Sequence, residues 1–377
     1  MTPSVVRRTA ATALLLAAAC TPGSTPSPSP SPGPDARTPT NTNAGPTPLL
    51  NAAWPVRSRE HLDLWLHTYA LLTSDSTLVP YFERGYRDRM LALRRARGVT
   101  SQLDASRERL VERFGVNPAL ATNGQFLPLY FESWTDMRRA IDLTLRANGN
   151  PDASADPATR AYIGLIAASF PGPADREWLR LFTEAADDEG RKFYRAYWAE
   201  EAASHARIVP HVDSLWQRQW RPALQRFLNN TQQQNGELYL SLPLGGEGRT
   251  VHFGKQQNAV AVPMPDAIAR SEVVLYVMAH EITGALASAA IEDNTTPAER
   301  RAGSTSRYEQ SAAVRAGALL LERTVPTAVP GYMRYYLQQV GRTAPNDPRT
   351  AFASAFSLPE SVREALARQL EVVLGGI

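Results

Sequence analysis

The chain has 377 residues, 43% of them hydrophobic and 20% charged, with a formal net charge of +3. That composition belongs to a soluble globular protein able to bury a large core, and the near-balanced charge excludes a nucleic-acid partner recognised through a basic surface. The single cysteine, Cys20, excludes a disulfide within the chain and any zinc site built on cysteines.

Residues 1–19 carry Arg7 and Arg8, then an apolar and small-residue run from Ala13 to Ala19. The run is too short to span a bilayer and reads as a cleavable export signal. Small residues at Ala17, Ala18 and Ala19 directly precede Cys20. This arrangement resembles the bacterial lipobox, with alanine at 17 where the family prefers leucine. The resemblance implies a lipid on Cys20, attachment to the membrane through that lipid, and a place in the bacterial cell envelope. Ordinary cleavage of a secreted protein is the alternative, and in both cases the body is exported.

From Cys20 to about Pro48 the chain is dominated by Pro, Ser, Thr, Gly and Asn. It has too few apolar side chains to offset the entropy of folding, and its prolines favour an extended, stiff tether. A helical lobe is expected from 49 to 235. Its helices are read at Leu62, Trp65, Leu66 and Tyr69 behind a Ser58 cap, at Tyr81 to Arg97, and at Asp104 to Phe114. Further ones are read at Thr135 to Ala147, Pro157 to Phe170, Asp175 to Glu184, and in a long aromatic stretch from Glu189 to Leu228, broken near Pro210 and Pro222.

A second lobe, 236–377, begins where the period changes to two. Leu238, Leu240, Leu242 and Leu244 alternate, Gly245 to Gly248 make a turn, and Val251 and Phe253 alternate again, which reads as a hairpin. Val260, Val262 and Met264 form a third run, placed by Pro263 and Pro265 at a sheet edge or strand end. A very apolar helix from Ala267 to Ala290 follows, with His280 and Glu281 at its centre. Thr296, Pro297 and Glu299 spell a helix start, and a last helix runs from Leu358 to Leu374 after a Ser357 cap. The expected fold is therefore α+β and mainly α-helical, with a small antiparallel sheet.

A hairpin, an edge strand and a buried helix bearing His280 and Glu281 resemble the catalytic half of the zincin metallopeptidases, over roughly Glu237 to Arg323. In that family a His-Glu-x-x-His helix holds zinc between two imidazoles while the glutamate activates water. The resemblance implies that His280 is a metal ligand, that Glu281 is the catalytic base, that zinc is the cofactor, and that an extended peptide pairs with the edge strand. It breaks at Gly284, which stands where the second histidine belongs. Glu309 is the candidate for a further ligand, with Glu292 after it.

Other histidines carry less. Glu201 and His205 lie one helical turn apart with His211 beyond, as a metal pair or a solvated face would. His61 and His67 fall on different faces of one helix, and His252 opposes the Val251 face of its strand, from where it could supply a missing ligand. No nucleophile elbow, Ser-x-x-Lys, phosphate-binding loop or dinucleotide fingerprint occurs, which removes serine-hydrolase and nucleotide chemistry. Three functions fit these residues: a non-catalytic binder of peptide or an envelope component on a degenerate zincin-like scaffold, an active zinc metallopeptidase with atypical ligands, or a structural envelope lipoprotein.

Overall fold

A computed structural model describes residues 53–73, 77–252, 258–301 and 303–375. The expected export signal, Cys20, the expected tether and Phe253 lie outside the described residues. From Ala53 onward the chain forms one compact unit, organised around a four-stranded sheet.

The first part is helical. After the short strand β1 (Val56–Arg57) come α1 (Glu60–Leu72), α2 (Tyr86–Ala96), α3 (Gln102–Val116), the short α4 (Leu120–Asn123), α5 (Trp134–Arg146), α6 (Pro157–Ser169) and α7 (Pro173–Glu189). Local chemistry explains the starts. Ser101 and Asp104 close a reciprocal capping box on α3, the Ser133 hydroxyl accepts from Asp136 N at 3.1 Å, and Asp156 accepts from Thr159 N at 2.7 Å. Two expectations shift here. The cap of α1 is Arg59, with no side-chain bond, rather than Ser58. The stretch before Tyr86 is drawn into a bridge between Phe82 and Leu244 and does not coil.

The long aromatic stretch divides at residues 205–207, ahead of Pro210. A π-helical turn at 190–194 joins α7 to α8 (Arg195–Ser204), and a second at 216–220 joins α9 (Ile208–Leu215) to α10 (Arg221–Asn230). Pro210 sits in the first turn of α9, where a missing N–H costs nothing, whereas Pro222 follows directly on the π-helical turn at 216–220 and does not break the helix.

The remaining strands are β2 (Gly236–Ser241), β3 (Arg249–His252) and β4 (Asn258–Pro263), in the spatial order β1-β2-β4-β3. The sheet is mixed, not antiparallel: β1 and β4 run parallel to β2, and only β3 is antiparallel, to β4. The expected hairpin between β2 and β3 is absent. The chain instead leaves β2, crosses to the far edge for β3, and returns between them as β4. So β4 is an inner strand buried at every residue, not an edge. Pro263 is tolerated because it is the last residue of the strand, where no ladder N–H is required.

Both faces of this sheet are buried. Leu238, Leu240, Val260 and Val262 join a core made with α9, α10 and the later helices, while Tyr239, Val251, Ala259 and Ala261 join a core made by the first eight helices. The two cores thus meet at the sheet, and α9 and α10 pack with the later half of the chain although they precede residue 236.

That half continues with α11 (Glu272–Ile282), α12 (Gly284–Asp293), α13 (Pro297–Arg301), α14 (Ser304–Thr324), α15 (Val329–Gln339), α16 (Arg349–Ala355) and α17 (Glu360–Gly375). The expected single helix from Ala267 to Ala290 is interrupted at Thr283. The Thr283 hydroxyl donates to Ala279 O at 2.9 Å and His280 O at 3.1 Å, competing with the helix ladder just before Gly284. Within α11, Val274, Leu275, Val277 and Met278 are completely or almost completely buried. Burying each contributes about 1.5–3 kcal/mol, enough to keep a helix that also carries His280 and Glu281. At Gly317 a Cβ would lie 3.1 Å from His280 N and would collide with the Tyr332 hydroxyl, so α14 approaches α11 closely only because that residue is glycine.

Candidate functional site

His280 and Glu281 leave α11 toward the connection between β2 and β3. Glu247, in the glycine-rich part of that connection, meets them. His280 Nε2 is 2.6 Å from Glu247 Oε2 and 3.6 Å from Glu281 Oε1. Ligand atoms of the three side chains lie within 4.8 Å of one another, the only such group of three among the described residues. Side-chain exposure is 3% for His280, 15% for Glu247 and 11% for Glu281.

Each carboxylate is also bound by the chain. Glu281 accepts from Gly248 N at 2.9 Å and from the Thr250 hydroxyl at 2.6 Å. A Cβ on Gly248 would fall 2.6 Å from Glu281 Cγ, so glycine is what lets the carboxylate reach that N–H. Gln310, on α14, donates to Glu247 Oε1 at 3.2 Å and to Val79 O at 3.1 Å. The Tyr336 hydroxyl, on α15, holds Gly246 O at 3.2 Å. Beneath the turn the buried Arg249 guanidinium lies 4.6 Å from the Tyr81 ring centre and donates to Gly248 O at 2.6 Å.

Charge is distributed accordingly. Burial alone would push the His280 pKa down, but the Glu247 carboxylate outweighs it, helped by Glu281 and the Ala313 carbonyl, and His280 is raised above its ordinary value. Glu247 is lowered, because His280 and the Gln310 hydrogen bond outweigh its burial. Glu281 is raised, first by burial and then by the charge of Glu247, against the opposing His280. These shifts favour an imidazolium–carboxylate pair beside a second carboxyl that holds its proton more tightly than usual. It can store and exchange a proton, and its donor set of one imidazole and two carboxylates suits a divalent cation once His280 is deprotonated.

Sequence reasoning points to His280 and Glu281 but misses Glu247, Gln310 and Thr250. Glu247 has a local signal, a lone charge between Gly246 and Gly248 in a strand connection. Glu309 is not a member of the group; its neighbour Gln310 supplies the contact from α14. Glu292 lies on α12 and is also outside the group. Gly284 opens α12, and a Cβ there would have no neighbour within 4 Å. His252 sits farther along β3, bonded to Asn258 Oδ1 at 2.9 Å.

The other histidines are placed by structure. His61 packs with its ring nitrogen 3.0 Å from Phe131 O, His67 is buried against Glu189 and Tyr86, and His205 bonds Glu201 O at 2.7 Å at the end of α8. A separate recess of about 610 Å³ opens between α12, α17 and the ends of β3 and β4. Among protein-family models, curated proteins and solved structures, none matches this chain.

Proposed function

We propose that this is an exported lipoprotein, anchored through Cys20, whose body binds a peptide or envelope component without turning it over, on a degenerate zincin-like scaffold. One observation carries the non-catalytic part. His280 Nε2 and the carboxylates of Glu281 and Glu247 are committed to one another and to Gly248, Thr250 and Gln310. The group acts as a clasp that pins the β2–β3 connection onto α11. Nε2 and the two carboxylates are mutually satisfied, as buried polar groups require, while His280 Nδ1 is buried without a hydrogen-bond partner. A peptide could not pair along β4, which is an inner strand.

A second reading, an active zinc metallopeptidase, is favoured by the convergence of three ligand atoms within 4.8 Å. His280 and Glu247 would then hold the ion, and Glu281, with its raised pKa, would accept a proton in the role of general base. Bound zinc would supply Lewis-acid activation. The donor set fits such an ion only after His280 gives up the proton it shares with Glu247.

Zinc titration of the purified protein beside His280→Ala and Glu247→Gln, with a mixed-peptide hydrolysis assay, separates the two. The binding reading expects no stoichiometric zinc and no hydrolysis. One zinc per chain, lost in both variants and accompanied by chelator-sensitive cleavage, would overturn it in favour of the peptidase.

A further inference from the structure

Asp63, on α1, has a fully buried side chain. Its Oδ2 accepts from Trp198 Nε1 on α8 at 2.9 Å. Its Oδ1 is buried without a hydrogen-bond partner, and so is the hydroxyl of Ser241 at the end of β2. Among the described residues no cation is paired with it. The arginines closest to it along α1 and α8 are committed elsewhere, Arg59 to Glu132 and Glu237, and Arg195 to Glu60.

The titratable groups that face Asp63 from its neighbours are phenols: Tyr86 from α2, Tyr194 from the π-helical turn at 190–194, and Tyr197 from α8. Burial raises all three above their ordinary value, so they bring no charge to the pocket. On α1 itself Glu60 and His67 lie one turn to either side, Glu60 paired with Arg195 and His67 set against Tyr86 and Glu189. From β2 only the neutral Ser241 and Leu242 face the carboxyl. They favour its charged form less than burial opposes it, and its pKa is pushed up to about 7.

A carboxylate in a dry site is stable when a counterion or several donors hold it, and this one has a single indole N–H. The neutral acid fits better. With the proton on Oδ1, Oδ2 still accepts from Trp198, and the oxygen that lacked a donor becomes one. The wall between this carboxyl and water is thin on the α8 side. Trp198 is partly exposed, and its neighbours Ala196, Ala199 and Glu200 are exposed.

We infer that Asp63 and Trp198 form a proton-operated lid: with Asp63 protonated, α8 closes dry over α1 and the end of β2, and loss of the proton to solvent admits water past the Trp198 indole. No bond but the carboxyl O–H breaks. Asp63 then contributes stability that is present below its ordinary value of 3.8 and is lost as pH rises through its folded value near 7. The lid goes beyond the binding reading above and does not depend on it.

Hydrogen exchange of the protein, read segment by segment by mass spectrometry and corrected for the chemical effect of pH, tests the lid beside Asp63→Asn, which keeps the shape and cannot ionise. Opening of wild-type α8 should grow about tenfold per pH unit from about pH 5 and level off near pH 7, as the linkage requires. In Asp63→Asn it should be flat. A wild-type α8 whose opening does not change with pH, or an equal change in the variant, would overturn the lid. So would a change spread evenly over all the core helices, which is global unfolding. The aspartate carboxyl-carbon resonances of the wild type keep the test independent of how the variant folds. One of them should titrate near pH 7, and the lid is wrong if every one titrates below about pH 6, within the usual carboxylate spread.

Discussion

Two buried histidine–glutamate centres sit on opposite sides of the sheet, and they solve the problem of a buried carboxylate in opposite ways. In the first core, Glu189 is 2.9 Å from Arg94 Nε and 3.4 Å from His67 Nε2, with the Glu189 and His67 side chains fully buried. The guanidinium is charged at every relevant pH, so Arg94, itself paired with Asp104, gives this centre a permanent cation beside the His67 contact. Burial lowers the His67 pKa, against the opposing hydrogen bond and charge of Glu189. Across the sheet the hydrogen-bonded counterion of Glu247 is the imidazolium of His280 itself. A permanent cation makes the first centre a fixed part of the core. A titratable one makes the second able to exchange its proton, and it is the second that keeps some exposure.

The largest effect is expected from removing the carboxylate at the permanent centre. Glu189→Ala leaves Ser101 and His67 without their buried acceptor, while Arg94 keeps Asp104 at 2.6 Å, and should cost about 3 kcal/mol, the low end of the penalty for breaking a buried pair from one side. His280→Ala should cost less, about 2–3 kcal/mol, because Glu247 and Glu281 keep 15% and 11% exposure and can take up protons when their cation is gone. Denaturant unfolding of the two variants checks the order. Equal losses would mean that the charge type of the counterion does not matter, and the contrast would collapse.

The contrast also has a sign in pH. His280, raised in the folded state, contributes stability that is present below its ordinary value of 6.5 and is lost as pH rises through its folded value. His67, lowered in the folded state, contributes stability present above 6.5 and lost as pH falls through its folded value. Glu281, raised as well, adds to the loss on the alkaline side of its ordinary 4.5. Unfolding free energies measured across pH 5–9 should therefore show His280→Gln flattening the alkaline decline and His67→Gln flattening the acid one. Each change should amount to about 1.4 kcal/mol for every tenfold difference in proton affinity between the folded and unfolded ring. The same slope in both variants would show that the two rings titrate alike.

The sequence makes the first centre nearly invisible and the second half visible, for a physical reason. His67, Arg94 and Glu189 come from three helices, and no local pattern links them. His280 and Glu281 are adjacent in an apolar helix, so their cost of burial is legible at once. Their partner Glu247 is 33 residues from His280 along the chain, and it arrives only because β3 crosses to the sheet edge before β4 returns. Alternation locates β2, β3 and β4 but cannot say which neighbours pair, so by itself it puts the hairpin on the wrong pair and β4 at an edge. Helices with a side-chain cap, such as those at Ser133 and Asp156, are found within a residue or two. The interruption at Thr283 is not, because it arises from a hydroxyl bonding back to carbonyls that an unbroken helix would keep.

That interruption supports the smallest prediction, at the residue that spoils the metallopeptidase motif. If Gly284 were the emptied seat of a ligand facing His280, a side chain there would enter the centre. Instead a Cβ would meet nothing within 4 Å, and the residue has helical neighbours in α12. Gly284→Ala should then stabilise the protein by up to about 1 kcal/mol, since alanine loses less backbone entropy on entering a helix. Gly284→His should add no zinc affinity, because the break at Thr283 separates its helix from α11. Zinc gained by Gly284→His, with the gain abolished by a second substitution at His280, would show that α11 and α12 realign into one helix around a metal, and the clasp would then be an apo form of that centre.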